Sequence, residues 1–327
     1  MKFSRRSFLL RLSAPLLLSG CGNSAKKSGR LVIGVIPMGT THEFWKSIHA
    51  GAEVAARELG GVDIIWKGPL REDDRDEQIR LIEDFTASRV NALVLSPMDD
   101  RTFIRPVREA KNAGIPTVLV NSQLQGDSHI SFVATDNYQG GVLGAKHMGK
   151  ITGGKGKLII VRLSEADTTT MERVKGFEDA IKREFPGLEI ISDNQYAGVT
   201  TESAFRTGEN LLNRYPETTA VFTPNESSTF GFLRVLQDRG LAGKVVFVGF
   251  DSSEKLIDAL AKREIHGLII QNPYLMGYLG VKTAVASLRG QPVEKRIDTG
   301  VIIASPENMN DPEVARLLRP DLSVLKE

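Results

Sequence analysis

The sequence predicts an α/β protein made of two doubly wound, parallel-sheet lobes, and three observations support this fold class. Short apolar runs rich in β-branched residues alternate with amphipathic helical segments, from "LVIGVIP" at Leu31 to "IHGLIIQ" at Ile265. The runs are continuously apolar, which is typical of strands that helices cover from both sides. The stretch "ALVLSPMDDRTFIRPVREAKNAGIPTVLVNS" also shares its order of strand, turn, helix, turn and strand with "AVFTPNESSTFGFLRVLQDRGLAGKVVFVGFDS", which indicates two similar lobes.

The predicted elements follow one another along the chain in this alternating order. After the first strand, apolar residues repeat at helical spacing from Phe44 to Leu59, and Gly60-Gly61 ends the helix. The predicted strands begin at Leu31, Val62, Asn91, Ile115, Ile130, Lys157, Leu188, Thr219, Lys244 and Ile265.

Polar residues that directly follow these strands are candidates for ligand contacts, because open parallel sheets bind ligands beyond the carboxyl ends of their strands. One of these residues, and a separate candidate on a helix, keep a structural alternative open. Asp251 can be the N-cap of the next helix, and Arg173, early in a helix, can be a solvated surface residue. The candidates after strands are Ser96, Asp99, Asn121, Ser122, Asn225, Glu226, Asp251 and Gln271.

The amino-terminal segment has the pattern of an export signal. Arg5 and Arg6 precede a short apolar run, as in twin-arginine signals, and "LSGC" ends the run at Cys21. The run is too short to span a membrane, which needs about 20 apolar residues. We predict a signal peptide over residues 1–21 with lipidation of Cys21, against the alternative of an ordinary cleavage site, and a flexible tether over residues 22–30.

Composition narrows the class of protein. The chain is 41% hydrophobic and 25% charged, and its formal net charge of +2 gives no case for nucleic-acid binding. Cys21 is the single cysteine, so no disulfide can stabilise the mature chain.

Signals of catalysis or of bound cofactors are weak. The five histidines do not pair at metal-ligand spacing, and no G-x-S-x-G motif occurs. "GKITGGKG", from Gly149 to Gly156, resembles a phosphate-binding loop, but it has glycine where Ser or Thr should follow Lys155. It also lies between a helix and a strand instead of between a strand and a helix, so we interpret it as a turn. We therefore predict no metal and no cofactor.

Several motifs, in the same order, resemble those of the type I periplasmic sugar-binding proteins, in particular the ribose-binding group. The motifs are "FVATDNYQGG", "MERVKGF", "AVFTPNESSTFG", "FVGFDSS" and "IIQNPYLMG", and the resemblance covers residues 31–305. It implies two lobes joined by a hinge of three chain crossings, near Thr135, Gln271 and Thr299. It also implies lobe limits of 31–134 plus 272–298 and of 135–271 plus 299–327.

The resemblance also implies a set of sugar contacts. It places hydrogen-bonding contacts and stacking aromatics on different parts of the chain, and the chemistry suits sugar hydroxyls, which both donate and accept. The implied ligand-binding residues are Phe44, Trp45, Ser96, Asn121, Arg173, Asn225, Phe250, Asp251 and Gln271.

Four positions depart from the ribose-binding pattern. Asn121 and Ser122 stand where a charged Asp-Arg pair is usual, and Ser96 and His42 each stand where an asparagine is common. These departures leave the identity of the sugar open.

The resulting expectation is a monomeric, lipid-anchored, extracytoplasmic protein that passes a small sugar to the transmembrane subunits of an ABC permease. One alternative is a sugar-sensing subunit that signals to a receptor. The other is an exported sugar-modifying enzyme, for which Asp251 and Glu226 are the one candidate carboxylate pair.

Overall fold

The computed structural model describes residues 29–326, which form two α/β lobes, each built on a six-stranded sheet. Arg5, Arg6 and Cys21 lie outside the described residues, so the export signal and the lipidation stay predictions. The strands are β1 (Leu31–Ile36), β2 (Val62–Trp66), β3 (Ala92–Leu95), β4 (Thr117–Val120), β5 (Ser131–Ala134), β6 (Gly156–Arg162), β7 (Leu188–Tyr196), β8 (Ala220–Phe222), β9 (Val246–Phe250), β10 (Gly267–Gln271), β11 (Arg296–Asp298) and β12 (Val301–Ala304). The helices are α1 (Glu43–Leu59), α2 (Arg75–Ala87), α3 (Ile104–Asn112), α4 (Asn137–Ile151), α5 (Thr168–Glu184), α6 (Thr201–Arg214), α7 (Glu226–Asp238), α8 (Glu254–Ala261), α9 (Pro273–Leu288) and α10 (Pro312–Leu318).

The two sheets have equivalent strand orders, which confirms the fold class. The first is ordered β11-β5-β4-β3-β1-β2 and the second β12-β10-β9-β8-β6-β7. Strand β4 of the first lobe therefore corresponds to β9 of the second, as the internal sequence repeat indicates. The glycine-rich "GKITGGKG" segment joins the end of α4 to β6, so it is the predicted turn.

The sequence did not predict β11 and β12, and β12 makes the second sheet not wholly parallel. β12 runs antiparallel to β10, with Val301 opposite Gln271. The reason is the connection that precedes it. β11 ends at Asp298, and β12 begins at Val301 beside the hinge end of β10, so the chain can only run away from the hinge.

The chain crosses between the lobes at three points. They lie between Ala134 and α4, between Gln271 and α9, and between Asp298 and β12, beside the predicted crossings. Hydrogen bonds tie the crossings together: the Thr135 and Thr299 hydroxyls are 3.4 Å apart, and Asp136 N donates to Asp298 Oδ1 at 3.3 Å. The exact lobe limits stay predictions.

The end of the chain lies across both lobes instead of in the second lobe alone. α10 contacts β10 and β12, but the final 3₁₀ helix, Ser323–Lys326, lies against α1 of the first lobe. There Arg57 Nη2 donates to Val324 O at 3.3 Å. The predicted assignment places all of residues 299–327 in the second lobe and does not include this contact of the final 3₁₀ helix with the first lobe.

Each lobe has its own apolar core. In the first lobe, one buried cluster around β1, β3 and β4 joins the helices on both faces of the sheet. In the second lobe, the sheet separates two clusters, one around Phe232 and Phe247 and the other around Phe177, Phe222 and Phe250. The second of these clusters lies directly beneath α4 and α5.

Helices α4 and α5 pack with their backbones in close contact, which fixes the position of Arg173 on α5. A Cβ at Gly141 of α4 would lie 2.0 Å from Arg173 O, and a Cβ at Gly176 of α5 would lie 2.0 Å from Tyr138 O. Only glycine permits this approach, so the placement of Arg173 depends on two residues that lie behind it.

We expect Gly141→Ala to separate the two helices and to destabilise the protein. Alanine favours a helix over glycine by about 1 kcal/mol, but overpacking against a backbone carbonyl costs about 3 kcal/mol. Thermal melting should therefore show a lowered midpoint. Gly29→Ala is the control, because a Cβ there meets no atom within 4 Å. Equal melting points for the two variants would contradict the close packing.

Candidate functional site

A cavity with an empty volume of about 390 Å³ lies between the lobes, at the carboxyl ends of strands from both sheets. Of the predicted contacts, those that line the cavity are Phe44, Trp45, Asn121, Arg173, Asn225, Asp251 and Gln271.

Two of these residues occupy equivalent positions in the two lobes and share an unusual backbone conformation. Asn121 follows β4 with a φ of 63°, and Asp251 follows β9 with a φ of 66°. Left-handed backbone is uncommon outside glycine, and Asn and Asp tolerate it best. Both side chains therefore turn off their strand ends into the cavity from opposite lobes.

Asp251 accepts hydrogen bonds through both of its carboxylate oxygens. Its Oδ1 accepts from Gln271 Nε2 at 2.6 Å, and its Oδ2 accepts from Glu226 N at 3.1 Å. Glu226 is the first residue of α7, whereas α8 is preceded by Ser253. The alternative that Asp251 caps the helix that follows it in sequence is therefore wrong, because Asp251 binds the amino terminus of α7.

Arg173 is buried beside Asp251 and is not a solvated surface residue. Its side chain is 3% exposed, and its Nη1 lies 3.9 Å from Asp251 Oδ2. Its Nε donates to Asn137 Oδ1 and its Nη1 to Pro224 O, each at 2.9 Å. Burial lowers the pKa of Arg173 and raises the pKa of Asp251, while the attraction between the two opposes both shifts.

Gln271 presents an acceptor that the described residues leave unused. Its Nε2 donates to Asp251, while its Oε1 is buried and has no hydrogen-bond partner. A buried polar atom without a partner carries a desolvation cost of about 1–3 kcal/mol. A ligand in the cavity that donates to this oxygen removes that cost.

The two adjacent aromatic residues differ in burial, and the Trp45 ring lies in the core. Trp45 is 2% exposed and half-buried Phe44 meets it edge-on, with ring centroids 5.0 Å apart and an interplanar angle of 87°. Trp45 Nε1 donates to Glu72 Oε1 at 2.6 Å, so its polar edge is already satisfied.

Two predicted contacts lie behind the cavity, and a third has its amide engaged elsewhere. Ser96 is fully buried and accepts from Asn121 Nδ2 at 3.4 Å, whereas Phe250 lies under the Arg173 guanidinium, 4.5 Å from the ring centroid. Both support residues that line the cavity. Asn225 lines it but caps α7: its Oδ1 accepts from Ser228, and its Nδ2 donates to Ser227.

The sequence analysis missed several residues that line the cavity. Glu72 comes from the loop after β2, where the strand-end rule would have directed attention, and Asp167 caps α5. Neither stands in a motif that the resemblance covers. The others are Met38, Leu163, Thr169 and Thr170.

Contacts across the cavity show that the lobes are closed on each other. Phe44 N donates to Glu226 Oε2 at 3.4 Å, and Thr169 Oγ1 donates to Ser122 Oγ at 3.2 Å. Each bond joins one lobe to the other. The closed arrangement is thus stabilised by polar contacts as well as by the hinge.

A larger groove beside the hinge is a weaker candidate. It has an empty volume of about 1160 Å³, and Gln271, Tyr274 and Arg316 are among its lining residues. Arg316 and Glu313, which also lines it, are exposed to solvent, so the groove lacks the buried, converging polar groups of the interlobe cavity.

Two other kinds of site do not occur in the described part of the chain. Between residues 29 and 326, no group of three or more His, Cys, Asp or Glu side chains is placed to hold a metal ion. Over the same range, no helix has the length and apolar character that a membrane crossing requires.

Comparison with known proteins agrees with this geometry. The chain is 27% identical to a D-apiose import binding protein of Paraburkholderia graminis over 92% of this chain and 96% of that protein. It is 26% identical to a ribose import binding protein of Bacillus subtilis over 84% of this chain and 87% of the relative.

Solved structures of similar proteins contain sugars. A carbohydrate transporter solute-binding protein of Agrobacterium radiobacter, in complex with D-arabinose, is 31% identical, with a TM-score of 0.84 over 89% of this chain and 99% of that one. An ABC transporter solute-binding protein of Agrobacterium vitis, with bound D-fucose, is 30% identical, with a TM-score of 0.84 over 88% of this chain and 100% of that one. The model of the periplasmic binding protein domain matches residues 33–292, and the chain belongs to that family of extracytoplasmic binding proteins.

Proposed function

We propose that this protein captures a small sugar, a pentose, hexose or related molecule, in the cavity between its lobes and delivers it to the transmembrane subunits of an ABC permease. The observation that carries the proposal is the buried, unpartnered Gln271 Oε1 beside the Arg173–Asp251 pair, in a cavity lined from both lobes. These groups match the donors and acceptors of a sugar hydroxyl.

Closure couples the two lobes through the ligand. Arg173, Asp251 and Gln271 come from the second lobe, whereas Phe44 and Asn121 come from the first. A sugar that contacts both sets favours the closed state by its higher affinity for that state. A closed, loaded protein presents both lobes together to a permease, and it acts as a monomer.

Known relatives support the same function. The similar proteins from Paraburkholderia and Bacillus import D-apiose and ribose, and the Agrobacterium structures hold D-arabinose and D-fucose. The enzyme alternative is less favoured, because Asp251 is already engaged by Gln271, by Glu226 N and by the charge of Arg173. A sensing subunit would use the same cavity, and only the partner would differ.

We also propose that Cys21 carries a lipid that anchors the protein to the extracytoplasmic face of a membrane, after export directed by Arg5 and Arg6. The support is in the sequence: the cysteine stands where the apolar run of the signal ends, and a polar tether separates it from β1.

Titration with a panel of neutral aldoses tests the sugar site. We expect calorimetry to identify a tight ligand, and Asp251→Ala to weaken its binding by roughly a hundredfold. A charge-assisted hydrogen bond contributes about 1.5–3 kcal/mol, and each 1.4 kcal/mol corresponds to a factor of ten. Asp258→Ala is the control, since Asp258 lies exposed on nearby α8. No binding by any neutral sugar, or equal affinities for the two variants, would refute this site.

The closed state without sugar should open as the pH rises. Burial raises the pKa of Glu72 to about 7 and that of Glu226 to about 8, from an ordinary value of 4.5. Opening wets both carboxyls, so the closed state holds more protons and loses stability between about pH 4.5 and pH 8.

Small-angle scattering of the sugar-free protein at pH 7 and pH 9 measures this opening. His42 acts in the opposite sense only below about its ordinary pKa of 6.5, because burial lowers its pKa, so the comparison stays above that value. The radius of gyration should increase at pH 9, and a Glu72→Gln/Glu226→Gln variant should respond less. The same radius at both pH values in the wild type would contradict the expectation.

Cys21→Ser should release the protein from membranes and leave both lobes folded. Stable anchoring needs more than one acyl chain, and all of these chains would be attached through this residue. Fractionation after a salt wash measures the change, with Ser19→Ala as the control. A Cys21→Ser protein that still sediments with membranes would disprove the lipid anchor.

A further inference from the structure

The interlobe cavity contains more acids than bases. Glu72, Asp167, Glu226 and Asp251 line it, whereas Arg173 is the one guanidinium among its described lining residues. Burial lowers the pKa of His42, which also lines the cavity, so His42 is neutral above pH 6.5. Asp251 is balanced by Arg173, and Asp167 is bonded to the amino terminus of α5 through Thr169 N and Thr170 N. Among residues 29–326, no Arg or Lys side chain pairs with Glu72 or Glu226.

Three side-chain donors of the cavity are already engaged within the protein. Trp45 Nε1 donates to Glu72, and Gln271 Nε2 donates to Asp251. Asn121 Nδ2 donates to Ser122 Oγ at 3.0 Å. The buried Gln271 Oε1, by contrast, is an acceptor without a partner. Apart from the remaining N–H groups of Arg173, the cavity therefore offers a ligand acceptors, namely Gln271 Oε1 and the carboxyl oxygens.

Glu72 and Glu226 belong to opposite lobes, yet closure brings both to the same histidine. His42 Nε2 lies 3.8 Å from Glu72 Oε1, and His42 Nδ1 lies 3.9 Å from Glu226 Oε1. Glu226 Oε2 also accepts from Phe44 N, across the gap between the lobes. The two carboxyls thus meet only when the lobes are closed, which is the state that holds a ligand.

Burial and the neighbouring negative charges keep these two carboxyls partly protonated near neutral pH. The pKa of Glu226 is raised first by burial and then by the charge of Asp251, and the pKa of Glu72 is raised by burial against the hydrogen bond from Trp45. A further negative charge in the cavity would face the same conditions that already disfavour the ionised forms of both residues.

We propose that Glu72 and Glu226 determine specificity, by restricting the cavity to polyhydroxylated ligands that carry no anionic group. Uronic acids, aldonic acids and sugar phosphates are excluded, and neutral sugars donate their hydroxyls to the two carboxyls and to Gln271 Oε1. This inference rests on the proposed function, since it concerns the same cavity. The inference goes beyond the proposed function because it names the charge class of the ligand and the two residues that select that class.

The test compares two analogues that have the same shape and differ in charge. The starting compound is the neutral sugar from the aldose panel that binds most tightly. Its aldonic acid and its uronic acid are prepared, and each acid is compared with the corresponding neutral amide. Calorimetry at pH 7.5 then measures the affinities of the acid and of the amide. The variants are wild type, Glu72→Gln/Glu226→Gln and the control Glu189→Gln, whose side chain is exposed on β7.

Wild type and the control should bind the amide at least about tenfold more tightly than the acid. A ligand carboxylate must either lie beside an ionised glutamate or force that glutamate to take up a proton, and both cost free energy in a desolvated site. In the double variant this ratio should fall to about threefold or less, and the affinity for the parent sugar should fall about tenfold. Each Gln keeps an oxygen that can accept from Trp45 or Phe44, which preserves the existing contacts.

Equal binding of acid and amide by the wild type would overturn the proposal, as would a ratio that the double variant does not change. An unchanged affinity of the double variant for the parent sugar would overturn it whichever analogues bind. These outcomes are distinct from failure of the proposed function, which would appear earlier as the absence of any sugar that binds.

Discussion

The buried pair of Arg173 and Asp251 is the interaction on which the rest of the site depends. Two opposite charges can stay inside the protein only when hydrogen bonds satisfy their remaining donors and acceptors. Asn137 and Pro224 O do so for Arg173, and Gln271 and Glu226 N do so for Asp251. This network fixes the end of β9, the end of β10 and the start of α7 relative to α5. The sugar site is therefore held by the same contacts that hold the second lobe together at its cleft edge.

The fold was predictable because its signals are local and repeated. Continuous apolar runs predicted strands β1 to β10, and the internal repeat predicted the correspondence of Asn121 with Asp251. β11 was not predictable in the same way, since it has three residues, "RID", and most of it is exposed. The direction of β12 depends on where the hinge delivers the chain, which is a tertiary property that no local pattern carries.

The site was predictable where a motif marks a strand end and less so elsewhere. Asp251 and Gln271 stand in such motifs, Arg173 stands in a motif on helix α5, and the structure brings the three together. Ser96 directly follows β3 and Phe250 directly precedes Asp251, but both are fully buried, so they support the residues that line the cavity. Glu72 comes from a loop that no motif covers, and only folding shows that it meets Glu226 across His42.

The structure of the protein with its sugar bound tests the central claim most directly, because that claim concerns where the ligand lies. In a crystal of the complex, the account predicts a sugar between the lobes, with one hydroxyl about 3 Å from Gln271 Oε1 and others on Arg173 and Asp251. A sugar in the groove beside the hinge, or on one lobe alone with Gln271 Oε1 still unpartnered, would contradict it.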